Sequence, residues 1–384
     1  MLRTAEDEAA VRDMLETLSR TAKGLMVTLF NTLVKEKQVN HCLQVLRFMV
    51  KEPGYTRLDR TFNMAIKALA DAGRLARAEA LFTEMKEAGI APDTVTYNIL
   101  ITGYAKRGLM RDAENVLAAM KGAGLKPDAW SYSAMIVVHS KSGQAEGAEQ
   151  MMQDMLEQGV LPNVFAYTAL IAAYARAGDV EKAEATFEGM QQVGCAPDIY
   201  AFSAMIDAYA KQGLVAQAER TFRAMLQAGH EPSVVTYSAM VAAYAKGGHV
   251  EKAEKILQVM QEAGCAPNLF TFSSMMEAYV QQKRFDDAEA ILEFVRAAGL
   301  HPSVQMYTTL ITAFGKAEEV AKAIKYWKLM RKAGCPPDQV AYLSMIELYK
   351  KIDRPKRVQK LQQELEMANP EDKDLMSEDF FEVQ

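Results

Sequence analysis

Apolar and polar residues along this chain fall into a rhythm that fits paired helices. In residues 94–128, Tyr97, Leu100, Ile101 and Tyr104 stand at i, i+3, i+4 and i+7, the stripe that a buried helix face requires. Ala113, Val116, Leu117 and Met120 repeat the spacing further on. Gly108 separates the two stripes, and Gly124 followed by Pro127 closes the second, a glycine where a helix ends and a proline just beyond it. The segment therefore predicts helix, turn, helix, stop.

The same segment returns with a period of 35 residues that never slips. Pro92-Asp93, Pro127-Asp128, Pro162-Asn163, Pro197-Asp198, Pro232-Ser233, Pro267-Asn268, Pro302-Ser303 and Pro337-Asp338 mark the ends of eight units: 59–93, 94–128, 129–163, 164–198, 199–233, 234–268, 269–303 and 304–338. Residues 27–58 read as a degenerate repeat, 339–368 as a degenerate C-terminal capping repeat, 1–26 as an N-terminal helical cap and 369–384 as an acidic tail. The place of Ala113 is alanine in all eight units, at Ala78, Ala113, Ala148, Ala183, Ala218, Ala253, Ala288 and Ala323, so two helices are expected to approach closely there. A two-helix unit cannot bury its apolar face alone. Neighbours must stack into a superhelix with one concave and one convex surface, and the Met, Tyr and Phe stripes become its core.

Composition adds exclusions. A chain of 384 residues suits two or three globular domains or one solenoid, and the repeat selects the solenoid. No apolar run approaches the ~18 residues needed to cross a membrane. The formal net charge of -5 and pI near 5.7 count, taken alone, against a nucleic-acid partner, because phosphate attraction favours a basic balance. Cys42, Cys195, Cys265 and Cys335 have no close pairs and no histidine at metal-ligand spacing, so neither a zinc site nor a disulfide framework is expected. Three of them share one slot of alternate repeats and read as small residues near a turn. The five histidines are scattered, there is no glycine-rich phosphate loop, and no nucleophile stands near a base; an enzyme, a cofactor and a small-molecule substrate are not expected. Residues 1–23 carry Glu6, Asp7, Glu8, Asp13 and Glu16, unlike a transit peptide or a secretory signal, which points to a mature form or a longer precursor.

The segment TVTYNILITGYAKRGLMRDAENVLAAMKGAGLKPD resembles the repeat of the pentatricopeptide repeat (PPR) proteins of the pure 35-residue type almost end to end. The resemblance is strong over 59–338 and weaker over 27–368. It implies an all-α, right-handed α-solenoid superhelix of helix-turn-helix repeats, a single-stranded RNA partner (mRNA or rRNA), and residence in a mitochondrion or chloroplast. No editing or nuclease extension is expected after the array.

Three rows of residues recur on the first helix of the repeats. The fifth positions are Asn63, Asn98, Ser133, Thr168, Ser203, Ser238, Ser273 and Thr308, all small and able to hydrogen-bond, and they are expected on an exposed face beside the buried Tyr or Phe. Two turns along, ~12 Å away, stand Asp71, Lys106, Lys141, Arg176, Lys211, Lys246, Gln281 and Lys316, six of them basic. These cations are either phosphate-binding groups or ordinary helix ends favoured by the helix dipole. By resemblance, each repeat reads one base through its fifth and last residues, the last being Asp93, Asp128, Asn163, Asp198, Ser233, Asn268, Ser303 and Asp338. An aspartate in the last place accepts from the ring N–H of U or G, whereas asparagine can donate to the bare ring nitrogen of A or C. Asparagine in the fifth place goes with a pyrimidine and Ser or Thr with a purine. The implied target is 5′-U-U-A-G-R-A-R-G-3′, R being purine, with the two Ser/Ser repeats indeterminate. By the same resemblance the second positions, Val95, Trp130, Phe165, Tyr200, Val235 and Phe270, with Arg60 and Gln305 at the ends of the row, wedge between bases; the other reading is that the aromatics only cover the groove between repeats.

Two functions follow from the resemblance: a sequence-selective RNA binder acting by site occupancy, or an architectural subunit of an organellar ribosome or other ribonucleoprotein that grips rRNA or protein. The tail 369–384 reads as a solvated acidic end or as a docking peptide for a basic partner, with Phe380 and Phe381 as anchors.

Overall fold

The computed structural model describes residues 23–368 apart from 37, 53, 54, 56 and 57. Among the described residues there are twenty helices and no strand, an all-α repeat solenoid built from hairpins. The expected cap over 1–26 and tail over 369–384 lie wholly or mostly outside the described residues. The first helix, Lys23–Lys35, runs across the expected boundary at 26 and pairs with Val39–Lys51. Contacts divide the chain into two compact bodies between Ala204 and Met205.

In the first body the hairpins are Leu58–Asp71 with Leu75–Glu87, Thr94–Arg107 with Met110–Gly122, Ala129–Lys141 with Ala145–Glu157, and Val164–Ala177 with Val180–Gln192. Each leading helix packs against its own following helix and against the leading helix of the next repeat. Ala78, Ala113, Ala148 and Ala183 have no exposure at all, and a larger side chain would force these helices apart at a cost of ~1–3 kcal/mol. The last residue of each repeat starts the next helix. Asp93 accepts from the Thr96 backbone N–H at 2.9 Å while the Thr96 hydroxyl bonds back to the Asp93 N–H, and Asp128 forms the same reciprocal pair with Ser131. Asn163 accepts from Ala166 N–H at 2.9 Å and Asp198 from Ala201 N–H at 2.8 Å. Such a cap contributes about 1 kcal/mol. Gly108 and Gly124 close the two helices of their repeat at φ 68° and 77°, a left-handed geometry open to glycine at little cost.

The second body repeats this plan from Val215–Gln227 to the hairpin Gln339–Lys351 with Pro355–Ala368. Ala218, Ala253, Ala288 and Ala323 are again fully buried. Ser233, Asn268, Ser303 and Asp338 cap the helices that follow them. Its inner turns differ in one respect: Lys283, Glu318 and Asp353 take the left-handed place that glycine holds at Gly213 and Gly248, at φ 58°, 60° and 51°.

Candidate nucleic-acid interface

The fifth residues are not on an open face. Asn63, Asn98, Ser133, Ser203, Ser238 and Thr308 are buried, and Thr168 and Ser273 are half-buried. The expectation from helical spacing is corrected here, and for Asn63, Asn98, Ser133, Thr168 and Thr308 the physical reason is a hydrogen bond to the residue that caps the next leading helix, which spacing within one helix cannot reveal. In the first body Asn63 donates to Asp93 at 3.2 Å, Asn98 to Asp128 at 3.0 Å, Ser133 to Asn163 at 2.9 Å and Thr168 to Asp198 at 3.2 Å. In the second, Thr308 donates to Asp338 at 3.0 Å. The two residues assigned to one base by resemblance are thus bonded to each other, thirty places apart in sequence. Ser203 and Ser238 instead donate to the Ile199 and Val234 carbonyls, at 2.7 and 2.6 Å.

Asp93 and Asp128 keep their charge although partly buried. Burial disfavours the carboxylates, but bonds from Thr96 and Asn63 to Asp93, and from Ser131 and Asn98 to Asp128, together hold both below the usual carboxylate range. Each is a fixed acceptor at neutral pH.

The second-position residues stand out into solvent. Val95, Trp130, Phe165 and Tyr200 in the first body, and Val235 and Phe270 in the second, each expose more than half of their surface. Trp130 is steadied by its indole N–H, which donates to the Thr102 hydroxyl at 3.1 Å, and by an edge-to-face contact with Phe165 at 6.0 Å. At the ends of the row, Gln305 is held by Glu277 at 2.8 Å, and Arg60 is exposed.

Lys106, Lys141, Arg176, Lys211, Lys246 and Lys316 are all exposed. Several also tie one repeat to the one before it. Lys141 donates to the Lys106 carbonyl at 3.2 Å, Arg176 to the Ser140 carbonyl, and Lys246 to the Lys211 carbonyl, each reaching a helix end 35 or 36 residues earlier. Lys106 pairs with Asp71 at 2.6 Å and Lys211 with Asp207 at 2.9 Å. These bonds belong to the helix-end reading, while the exposure leaves the charged groups open to a further anion.

The rows meet in one cavity of about 380 Å³ in the first body. Val95 and Trp130 line it on successive repeats, Asn98 and Asp128 lie within it, and Lys106 and Asp71 stand at its charged side. Such a place offers a flat wall, a hydrogen-bonding floor and a cation at the rim, the requirements of one nucleotide.

A second ladder joins the repeats, one that helical spacing does not single out. Tyr244 donates to Glu219 at 3.0 Å and Tyr279 to Glu254 at 2.9 Å, each from one repeat to the one before; in the first body Tyr104 lies near Glu79 and Tyr174 near Glu149, close enough for each carboxylate to push the hydroxyl up. Lys182, Lys252 and Arg284 join these carboxylates. The signal was present, since both residue types recur at the 35-residue period. This ladder occupies part of the acidic total away from the three rows. Among the described residues no group of His, Cys, Asp or Glu could hold a metal ion, and no helix is long and apolar enough to cross a membrane.

Comparison with known proteins agrees with the repeat. The PPR repeat family matches residues 60–106, 92–141, 197–246, 232–281 and 302–351, together more than half of the chain. The pentatricopeptide repeat domain matches 150–212, and a further PPR repeat model matches 130–160 and 270–300. No curated protein sequence matches the chain significantly. Among solved structures, PPR10 in complex with an 18-nt psaJ RNA element is 21% identical with a TM-score of 0.60, over 93% of this chain and 62% of that one. The pentatricopeptide repeat protein PPR10 from maize gives 0.58 at 21% identity, over 94% and 61%. The chain therefore spans less than two thirds of the length of these structures, and at this identity the likeness is one of fold.

Proposed function

The chain belongs to the pentatricopeptide repeat family, and from that premise we propose that it binds single-stranded RNA sequence-selectively, one base per repeat, and acts by occupying its site. The observation that carries this reading is the cavity where Val95, Trp130, Asn98, Asp128 and Lys106 come together. In this reading a base slides between the Val95 and Trp130 side chains, and its Watson–Crick edge meets Asn98 and Asp128. The bond between those two residues keeps the pair satisfied and oriented before RNA arrives. A uracil ring N–H would replace the Asn98 amide as a donor to Asp128, which is already charged. Stacking on Trp130, Phe165, Tyr200 and Phe270 would contribute ~1–3 kcal/mol per base.

The base-reading residues are the fifth and last of each repeat, from Asn63/Asp93 to Thr308/Asp338, and the target is 5′-U-U-A-G-R-A-R-G-3′. Lys106, Lys141, Arg176, Lys211, Lys246 and Lys316 receive phosphates, Lys141, Arg176 and Lys246 while also holding the neighbouring helix end. The family setting makes a mitochondrial or chloroplast transcript the natural partner. PPR10 with its psaJ RNA element is a precedent of the same fold for holding a single strand. Binding of a labelled UUAGAAAG oligonucleotide, against the same bases in scrambled order, tests the reading; equal affinity for both sinks it.

A second reading, an architectural subunit of a ribosome or another ribonucleoprotein, draws on the cations themselves. Three of them already bond to main-chain carbonyls and Lys106 to Asp71, which suits a stiff scaffold as well as a phosphate track. Co-purification with an assembled particle, without selectivity among free RNAs, would favour it.

A further inference from the structure

Beside the last hairpin of the second body lies a groove of about 970 Å³, walled by the helices Val320–Lys332 and Pro355–Ala368. Lys328, Arg331, Arg354, Lys356, Arg357 and Lys360 line it, all exposed, against two carboxylates, Asp353 and Glu364. Glu364 already serves Arg331 at 3.2 Å and Lys360 at 3.8 Å. Among the described residues no carboxylate pairs with Lys328, Arg354, Lys356 or Arg357. Half-buried Val320 and Ile324, with buried Trp327 and Leu361, supply an apolar floor. The groove is cationic and open, and it lies on the following helices, away from the three rows of the leading helices.

The sequence that comes next has the opposite character. Residues 369–384 hold Glu371, Asp372, Asp374, Glu378, Asp379 and Glu382 against the single cation Lys373, with Phe380 and Phe381 set among the last acids. From Ala368 back to Lys356 the helix measures ~18 Å, whereas an extended strand from 369 to 380 spans ~36 Å. The reach is ample for the chain to double back on the helix it has just left.

We propose that residues 369–384 dock in this groove, setting their carboxylates against Arg354, Lys356 and Arg357 and their phenylalanines on the Val320–Ile324 floor. RNA is a weaker occupant on these observations, because of the two aromatic residues that line the groove Trp327 is buried and Tyr349 half-buried, so neither presents an exposed ring for a base to stack on. A tether this short supplies an effective concentration on the order of millimolar, so a segment that binds as a free peptide at about 100 µM would be docked about nine-tenths of the time.

The test titrates a labelled synthetic peptide of residues 369–384 into the full chain and into a chain lacking those residues. The shortened chain should bind it about tenfold more tightly than the full chain, whose own segment competes, and binding should weaken as salt rises. Lys356→Glu with Arg357→Glu in the shortened chain should abolish it. Phe380→Ala with Phe381→Ala in the peptide, changes that cannot disturb folding of the chain, should weaken it severalfold. No binding to the shortened chain, or equal binding to both chains, overturns the proposal. So does retention of a polyuridine oligonucleotide through Lys356 and Arg357 without peptide binding, which would make the groove a nucleic-acid surface. A dimer of the full chain that the shortened chain does not form would likewise overturn it, by seating the segment in a neighbour. None of these outcomes depends on base selectivity, so failure here leaves the RNA reading untouched.

Discussion

Replacing Asp128 separates its two tasks. Its Oδ1 accepts from Ser131 N–H at 2.9 Å, capping the helix Ala129–Lys141, and from Asn98 Nδ2 at 3.0 Å. Asp128→Ala removes the cap, worth about 1 kcal/mol, and leaves the buried Asn98 amide without this acceptor, about 1 kcal/mol more. The array should lose roughly 2 kcal/mol. Asp128→Asn keeps a capping oxygen, as Asn163 and Asn268 do for their helices in this chain at 2.9 Å, and should cost less than half as much. Its effect on RNA should be the larger one. The aspartate accepts from the ring N–H of uracil, whereas cytosine presents a bare ring nitrogen that would face it acceptor to acceptor. A charged hydrogen bond gained or lost is worth ~1.5–3 kcal/mol, or about ten- to a hundredfold in affinity. The native chain should prefer U over C at the second letter by that factor, and Asp128→Asn should invert the preference. Fluorescence anisotropy with RNAs differing only in that letter, beside thermal melts of the three proteins, measures both effects. An unchanged preference for U, or an asparagine variant that melts as low as the alanine one, would refute the division of labour.

Lys283→Gly and Glu318→Gly should each raise the urea midpoint, by about 1 kcal/mol of stability or somewhat less, because both side chains sit in the left-handed region at φ 58° and 60°; unchanged midpoints would show that the strain is relieved elsewhere. Burial first, then the bond to Glu219, pushes the Tyr244 hydroxyl up to about 12, so its contribution is complete below pH 10, the ordinary tyrosine value, and is lost as pH rises toward 12; tyrosinate absorbance and circular dichroism followed together should show this site ionising late and with loosening of the repeats. Lys106→Glu, Lys141→Glu and Arg176→Glu together should weaken RNA of every sequence and flatten the salt dependence by about 0.7 for each phosphate no longer neutralised. A slope that does not move would assign these cations to helix ends alone.

The periodicity of 35 residues, the paired stripes and the alanine slot carry the fold because each reflects a local rule: a helix face must be apolar, a close approach must be small, and a helix must stop at its glycine. The residues at the second position were equally legible, since Trp130, Phe165 and Tyr200 lie off the apolar stripe and do stand exposed. The fifth positions were not. Asn98 lies off the stripe too, yet it is buried because Asp128, thirty residues away, offers it an acceptor and Ser131 bonds to its other end at 2.5 Å. A helical wheel cannot contain that information. Lys106 is a similar case: its pairing with Asp71 joins two equivalent places in adjacent repeats, visible only once the stack sets them side by side.

The central claim is that the fifth and last residues of each repeat read bases. Selection of the purified full chain against a randomised single-stranded RNA pool at near-physiological salt, with sequencing of what is retained, tests it most directly. Enrichment of a motif containing U-U-A-G followed by purines is the predicted result. Retention without any shared motif, or no retention at all, would contradict it.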